Sequence, residues 1–576
     1  MRKSVFISVL LLASLAGSAQ IVVNQMGFYP NSRKQAVVLN GALNKDFRLI
    51  DAKTGITVYS GKLSEPLQSK NSSLITRIAD FSDFITPGTY RIAAGQLETP
   101  PVAIGRNVQR EAAKGALKGF YYQRVSMPLE EKYAGKWARP AGHPDNVVYI
   151  HPSAATKKRP EGTVISAPHG WYDAGDYNKY IVNSGITMGT LLAAYEDFPE
   201  YFAQLSVNIP ETGNGAPDLL NEAAYNLRWM LAMQDPYDGG VYNKLTNASF
   251  DGMDAKPGQT KEPRYVVQKG TAATLDFAAV AAQAARIYKN FPAVYPGLAD
   301  SCLKASRKAW EWAVKNPALA YDQNLMNKTH KPAIATGGYG DGNYKDEWFW
   351  AAAELFITTQ DKKFKKVIDE NIIAGPKIPS WNNVFLVGAY SLLRSKDAEY
   401  DAKLRPAVLA LADGFVEAVP SSAFGVVMGI ERSDFIWGSS SQAANQGILL
   451  VNAYLLTKDA KYLNAAATNA DYLLGKNATG YCFLTGYGYR PVMNPHHRPS
   501  VSDNIVEPVP GLLSGGPNPG APRSDRQYYE FTEPETTFAD VSGSYAANEI
   551  AINWNAPAVY LFNAIEAEQE KLSFNK

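Results

Sequence analysis

The 576-residue chain has only two cysteines, Cys302 and Cys482. They could pair, but two make neither a disulfide framework nor a thiolate metal site. Histidine is scarce, at six, which leaves little for a zinc centre built on imidazoles. Neither sign of charge dominates, with 57 Lys and Arg against 55 Asp and Glu. That balance gives no electrostatic reason to expect a nucleic acid or an anionic membrane as partner. Beyond the N-terminus no apolar run approaches the roughly 20 residues of a membrane-spanning helix. Walker lysine, G-x-S-x-G and dinucleotide-binding motifs are also missing.

Aromatics are present in quantity, with 33 Tyr and 10 Trp. For any one of them core packing is the plainer reading, while together they suit a cleft that stacks on sugars. The first residues, MRKSVFISVLLLASLAGSAQ, carry Arg2 and Lys3, a short apolar run and small residues up to Ala19. This is the pattern of a secretory leader over 1–19. With no lipidation cysteine beside the cleavage point, it predicts a secreted or periplasmic protein without a membrane anchor. From 20 to 104 short β-prone runs alternate with turn residues, and RLIDAKTGITVYS reads as a hairpin, so a small β-sandwich is expected.

After a linker at 105–110, helical periodicity takes over through 111–570. In PDLLNEAAYNLRWMLAMQ the residues Leu220, Ala223, Leu227, Met230 and Leu231 recur at helical spacing. Three segments share a layout: an apolar helix end, a polar turn with Asp361, Asp397 or Asp459, and an aromatic opening the next helix. Repeated helix hairpins predict a helical array or toroid. Long Gly-, Pro- and Tyr-rich loops, notably 480–545, are candidate functional segments.

Three stretches carry candidate chemistry. GWYDAGDYNKY places Asp173 and Asp176 in a glycine-flanked turn, where an Asp pair can be a cap, a metal clip or part of a catalytic set. FADVSGSYAANEIAINWNAPAVY holds Asp540 and Glu549 in a segment otherwise poor in charge, where desolvation can keep a carboxyl protonated. GYGYRPVMNPHHRPS groups His496, His497 and Arg498, which suit hydrogen bonding to hydroxyls better than zinc, since adjacent His side chains rarely point at one ion. Two separated carboxyl groups are what glycosidic hydrolysis needs, one to protonate the leaving oxygen and one to activate water or attack carbon.

Together these stretches resemble glycoside hydrolase family 9, the inverting β-glucanases that include many cellulases. Phe538, Asp540, Tyr545, Glu549, Ala551, Asn555 and Ala556 match the C-terminal signature of that family. Leu484, Thr485, Gly488, Arg490, Pro495, His496 and Arg498 match its histidine signature, with Cys482 where the pattern has Ser, Thr or Val. The resemblance implies an (α/α)6 barrel behind an immunoglobulin-like module and action on β-1,4-glucosidic bonds of cellulose-like glucans. It further implies Asp176 as general base, Asp173 holding the water or tuning the base, Glu549 as general acid and Asp540 as a supporting carboxylate. His496 and Arg498 would contact sugar, with the acid and base roughly 6.5 to 9.5 Å apart for inversion.

Trp554 stands where relatives carry Tyr, Asn243 in GGVYNK where many carry a sugar-contacting His, and the region around His143 lacks the Cys of zinc-binding members. No cofactor and no zinc are expected; structural calcium fits the resemblance, with no ligands assignable. Trp348, Trp350, Trp437 and Trp554 are candidate substrate contacts. Endo-action on a β-glucan polysaccharide or oligosaccharide is the main expectation. Exo-action releasing glucose or glucosamine, or a non-catalytic carbohydrate-binding protein, are the alternatives.

Overall fold

The computed structural model describes residues 19–40 and 45–569. The leader expected at 1–19 falls, but for Ala19, outside the described residues, as does residue 570. Among the described residues the N-terminal module has nine strands: β1 (Gln20–Val23), β2 (Gln35–Leu39), β3 (Asp46–Asp51), β4 (Thr57–Lys62), β5 (Leu67–Gln68), β6 (Ile75–Asp80), β7 (Gly88–Ala94), β8 (Leu97–Glu98) and β9 (Val102–Ile104). They form one sheet in the order β1-β2-β6-β5 and a second in the order β4-β3-β7-β8, with β9 on β7. The predicted hairpin is the β3–β4 pair.

In β2 the run QAVVL is buried on both faces, which explains why it does not alternate with polar residues. Ala36 and Val38 face the sandwich core, while Val37 and Leu39 join the core of the helical domain. Burying each of the larger side chains contributes about 2 kcal/mol, so the module is fixed to its neighbour rather than tethered. Polar contacts add register: Asn24 Nδ2 donates to Asp471 at 2.8 Å, the Arg490 amide to Gln25 Oε1 at 2.8 Å, and Thr76 Oγ1 to the Ala423 carbonyl at 2.6 Å.

Twelve helices of eight or more residues follow among those described. They are α1 (Arg110–Tyr122), α2 (Ile181–Asp197), α3 (Asp218–Ala232), α4 (Thr271–Tyr288), α5 (Leu298–Lys315), α6 (Lys345–Thr359), α7 (Lys363–Glu370), α8 (Phe385–Arg394), α9 (Ala398–Ala418), α10 (Ser439–Thr457), α11 (Ala460–Leu473) and α12 (Ile552–Glu568). The even-numbered helices pack in the order α10-α12-α2-α4-α6-α8 to form the inner ring, with the odd-numbered ones outside. Inner helices such as α4 and α12 are buried almost all round, so they lack a polar stripe. The molecule is an (α/α)6 barrel behind an immunoglobulin-like sandwich.

The repeated sequence layout corresponds to the hairpins α6–α7, α8–α9 and α10–α11. Asp397 and Asp459 are N-caps of α9 and α11, accepting from backbone amides two or three residues further along the chain. Asp361 accepts from the Lys363 amide in the same manner. The aromatics that follow, Phe364, Tyr400 and Tyr462, are buried anchors. Cys302 and Cys482 are buried, unpaired thiols, so the pairing allowed by sequence does not occur.

A small sheet at one end of the barrel carries the turn of interest. Its strands are β10 (Val148–Ile150), β11 (Val164–Ile165), β12 (Lys179–Tyr180), β13 (Lys244–Thr246) and β14 (Arg264–Val266), in the order β11-β10-β14-β13-β12. The Asp173–Asp176 turn runs into β12, which leads directly into α2.

Candidate active site

Three distant segments are stitched together by backbone. Ala174 pairs with Ala551 in an antiparallel bridge, and the Ile552 amide donates to the Asp173 carbonyl at 2.8 Å. His496 pairs with Glu549 in a parallel bridge, and the Arg498 amide donates to the Gly175 carbonyl at 3.1 Å. Gly175 is required by close approach: a Cβ there would lie 2.1 Å from the His496 carbonyl oxygen. Asp173, Asp176 and Glu549 thus meet at one rim of the barrel.

Their partners set different electrostatics. Asp176 Oδ2 accepts from Asn178 Nδ2 and, at 3.0 Å, from the Tyr180 hydroxyl. Burial raises its pKa, while Asn178, Arg498, Tyr180 and Lys244 favour its charge. Burial pushes Asp173 well above the usual carboxylate range and the neighbouring Asp176 adds to this, against donation from Asn183 and Tyr339. Glu549 is also pushed well above that range, first by burial and then by Asp176, with Arg498 and the Gly175 amide opposing. Of the three, Asp176 has the most help in staying ionised, and Glu549 is a carboxyl poised to hold a proton.

Around them sit further polar side chains, each fixed by its own hydrogen bonds. Asp540 accepts from the amides of Met493 at 2.9 Å and Asn494 at 2.7 Å, so it shapes the loop that presents His496. His496 Nδ1 donates to the Ser542 carbonyl at 2.6 Å, which leaves Nε2 as an acceptor; burial pushes this imidazole down to about 4, so it is neutral at ordinary pH. His497 is buried and bonds Gln123 and Ser500 instead, so the two imidazoles do not share an ion. Arg498 donates through Nη1 to the Gly175 carbonyl at 2.7 Å and through Nε to the Asp251 carbonyl at 2.9 Å, clamping the turn beside Asp176.

The tryptophan expectations divide. Trp437 is 46% exposed and its ring lies 5.6 Å from that of Tyr545, itself 5.9 Å from the His496 ring, so an aromatic wall runs outward from the carboxyls. Trp350 is a correction: at 0% exposure it is packed against Gly189, inside the barrel, where no sugar can reach its face. Trp348 turns toward Trp310 of the outer ring and donates to the Pro317 carbonyl, so it is interhelical packing. Trp554, 8% exposed, fills the space under the Gly438 turn rather than offering a platform; Gly438 has φ +86° and a Cβ there would meet the indole Nε1.

Sequence reading missed a second aromatic pair beside the carboxyls. Tyr339 donates to Asp173 Oδ2 at 3.1 Å and its ring lies 5.3 Å from that of Trp381. It also missed Lys244 and a buried carboxyl group behind the Tyr339 loop, made of Asp276, Asp341, Asp346 and Glu347. Burial and mutual repulsion push Asp276 and Glu347 well above the usual range. Both oxygens of Asp276 and of Glu347, with one each of Asp341 and Asp346, are buried without a hydrogen-bond partner. Among the described residues no three His, Cys, Asp or Glu side chains converge as a preformed metal cage.

Comparison with known proteins gives a consistent outcome. The family model for glycosyl hydrolase family 9 matches residues 110–562, and that for the cellulase N-terminal ig-like domain matches 16–99. The chain is 45% identical to a xyloglucan-specific endo-beta-1,4-glucanase of Bacteroides ovatus, over 95% of this chain and 94% of that protein. It is 31% identical to endoglucanase D of Acetivibrio thermocellus, over 94% of this chain and 82% of that one. A solved Bacteroides ovatus structure of the same family superposes with a TM-score of 0.91 at 44% identity, covering 95% of this chain and 98% of that one.

Proposed function

The chain belongs to glycosyl hydrolase family 9, and on that premise we propose that it cleaves the β-1,4-glucan backbone of a xyloglucan-like polysaccharide, internally and with inversion. The observation that carries this reading is the meeting of Asp176 and Glu549, both with a pKa raised by burial but with more groups favouring charge on Asp176. Asp176, ionised, takes a proton from water as it attacks the anomeric carbon. Glu549, protonated, gives its proton to the departing glycosidic oxygen. Asp173 steadies the water and, with its own charge suppressed by burial, does not compete with Asp176 for the proton.

His496 Nε2 and the walls Tyr339–Trp381 and Trp437–Tyr545 are the groups offered to sugar hydroxyls and sugar faces. Asp540, Arg498 and Trp554 hold that arrangement. Specificity for a branched glucan is supported by the 45% identity to the Bacteroides ovatus enzyme. Export is supported by the leader-like N-terminus, and no helix of the described residues is long and apolar enough to cross a membrane. Asp276, Asp341, Asp346 and Glu347 are not arranged as a metal cage, so no calcium is assigned to them.

Initial rates on xyloglucan, carboxymethylcellulose and mixed-linkage glucan, with product lengths, test the substrate. The expected result is a preference of at least about tenfold in kcat/KM for xyloglucan and mid-length branched products. Glucose as sole early product, or equal rates on all three, would contradict it.

A further inference from the structure

Lys244 stands in β13 directly opposite Tyr180 of β12. Its side chain is wholly buried, and Nζ donates to three oxygens: Gln323 Oε1 at 2.6 Å, Thr336 Oγ1 at 2.9 Å and the Gly337 carbonyl at 2.6 Å. Three acceptors suit an ammonium, which has three N–H groups to give. Burial pushes the Lys244 amine down to about 7, and the charge opposing that fall is Asp176.

From this point two hydrogen-bonded paths run to Asp176. In the first, Gly337, held through its carbonyl, donates its amide to the Tyr180 hydroxyl at 3.1 Å, and that hydroxyl donates to Asp176 Oδ2 at 3.0 Å. In the second, Thr336 Oγ1 meets Thr246 Oγ1 at 2.7 Å, Thr246 donates to Asn178 Oδ1 at 3.0 Å, and Asn178 Nδ2 donates to the same Asp176 Oδ2. Lys244 donates into Thr336, and the Thr246 hydroxyl lies within hydrogen-bond reach of both Asn178 Oδ1 at 3.0 Å and the Asn247 carbonyl at 2.8 Å. Strand alternation places Lys244 and Thr246 on one face of β13, which is why both reach Thr336.

We propose that Lys244 is a positioning residue for Asp176. By fixing Thr336 and Gly337 it aims two donors at one oxygen of the carboxylate, which leaves Oδ1 as the oxygen directed at water. Such chains polarise along their length, so a buried cation at their origin strengthens the donors at their end. The inference rests on the reading of Asp176 as the base.

The test uses the full-length enzyme and a β-glucan oligosaccharide, with Lys244→Met, which keeps the length of the side chain and removes its charge and donors. The expected result is a fall in kcat of about 10- to 100-fold with KM within about threefold. The acidic limb of the kcat/KM profile should move to higher pH, because the Asp176 carboxylate loses support. Thr246→Val should shift the limb the same way by less, and the double variant should lose less than the product of the two single effects.

A lowered melting temperature with kcat and the acidic limb unmoved would make Lys244 part of the scaffold only and overturn the proposal. Should Lys244→Met fail to fold, Thr246→Val and Thr336→Val carry the same readout. Asp176→Asn, run in parallel, separates the two ideas. If it stays active, the base assignment falls; if it is inactive while the limb is unmoved in the Lys244 and Thr246 variants, only the role of Lys244 falls.

Discussion

His496 and Glu549 face each other across a parallel β-bridge, so the imidazole loop and the proposed acid share one backbone frame. The Gly175 amide, between the two turn aspartates, donates to the Glu549 carboxyl. A displacement of any one of these loops therefore moves the others.

The acid role of Glu549 makes a kinetic prediction. Glu549→Gln should lower kcat by about three or more powers of ten on natural glucans, where the leaving alcohol needs a proton. On aryl glycosides with acidic phenols the loss should be far smaller. Equal losses on both substrates would remove Glu549 from that role.

The same substitution should stabilise the protein. A carboxyl near 4.3 in the unfolded chain and well above it in the fold binds protons more tightly when native. Stability from this group is therefore fully present below about pH 4 and is lost as pH rises through the raised value. Glu549→Gln should raise Tm at pH 7 by about 2–4 °C, a gain that shrinks as pH approaches 4. A Tm gain independent of pH would show that ionisation of Glu549 is not the cause.

On the proposed reading Asp540 acts through the loop it holds. Asp540→Ala removes the acceptor for the Met493 and Asn494 amides and should lower kcat about 10- to 100-fold. Its pH profile should keep both limbs where they are in the parent enzyme. A shifted limb would instead mark Asp540 as one of the titrating pair.

Calcium should be read out in stability. Because no three of the carboxyls of Asp276, Asp341, Asp346 and Glu347 converge as a metal cage, adding calcium after treatment with a chelator should leave Tm unchanged. A rise in Tm on adding calcium would show that the carboxyl cluster holds a metal ion rather than protons.

Much of this site was legible because its residues lie in compact motifs: the Asp173–Asp176 turn, the His496 loop and the Asp540–Glu549 segment each announce themselves by glycine and charge. Lys244 gave no such signal, since a single lysine in a three-residue strand reads as a solvated edge until the register with Tyr180 is known. Tyr339 and Trp381 were hidden for a similar reason: their importance comes from where the loops before α6 and α8 fold back. Trp350 could have been placed correctly, because its helix reads apolar on every side from Phe349 to Ala353 and such a helix is interior. The double burial of β2 was visible as an unbroken apolar run, but what covered its outer face was not.

The central claim is that Asp176 activates water while Glu549 protonates the leaving sugar, in one displacement. Proton NMR of the anomeric region during the first minutes of hydrolysis of a cello-oligosaccharide or xyloglucan oligosaccharide reads this directly. The account predicts that the new reducing ends appear first as the α-anomer, with β following only by mutarotation. Early β-anomer would mean retention through a covalent intermediate, and would require a nucleophile where the account places a water.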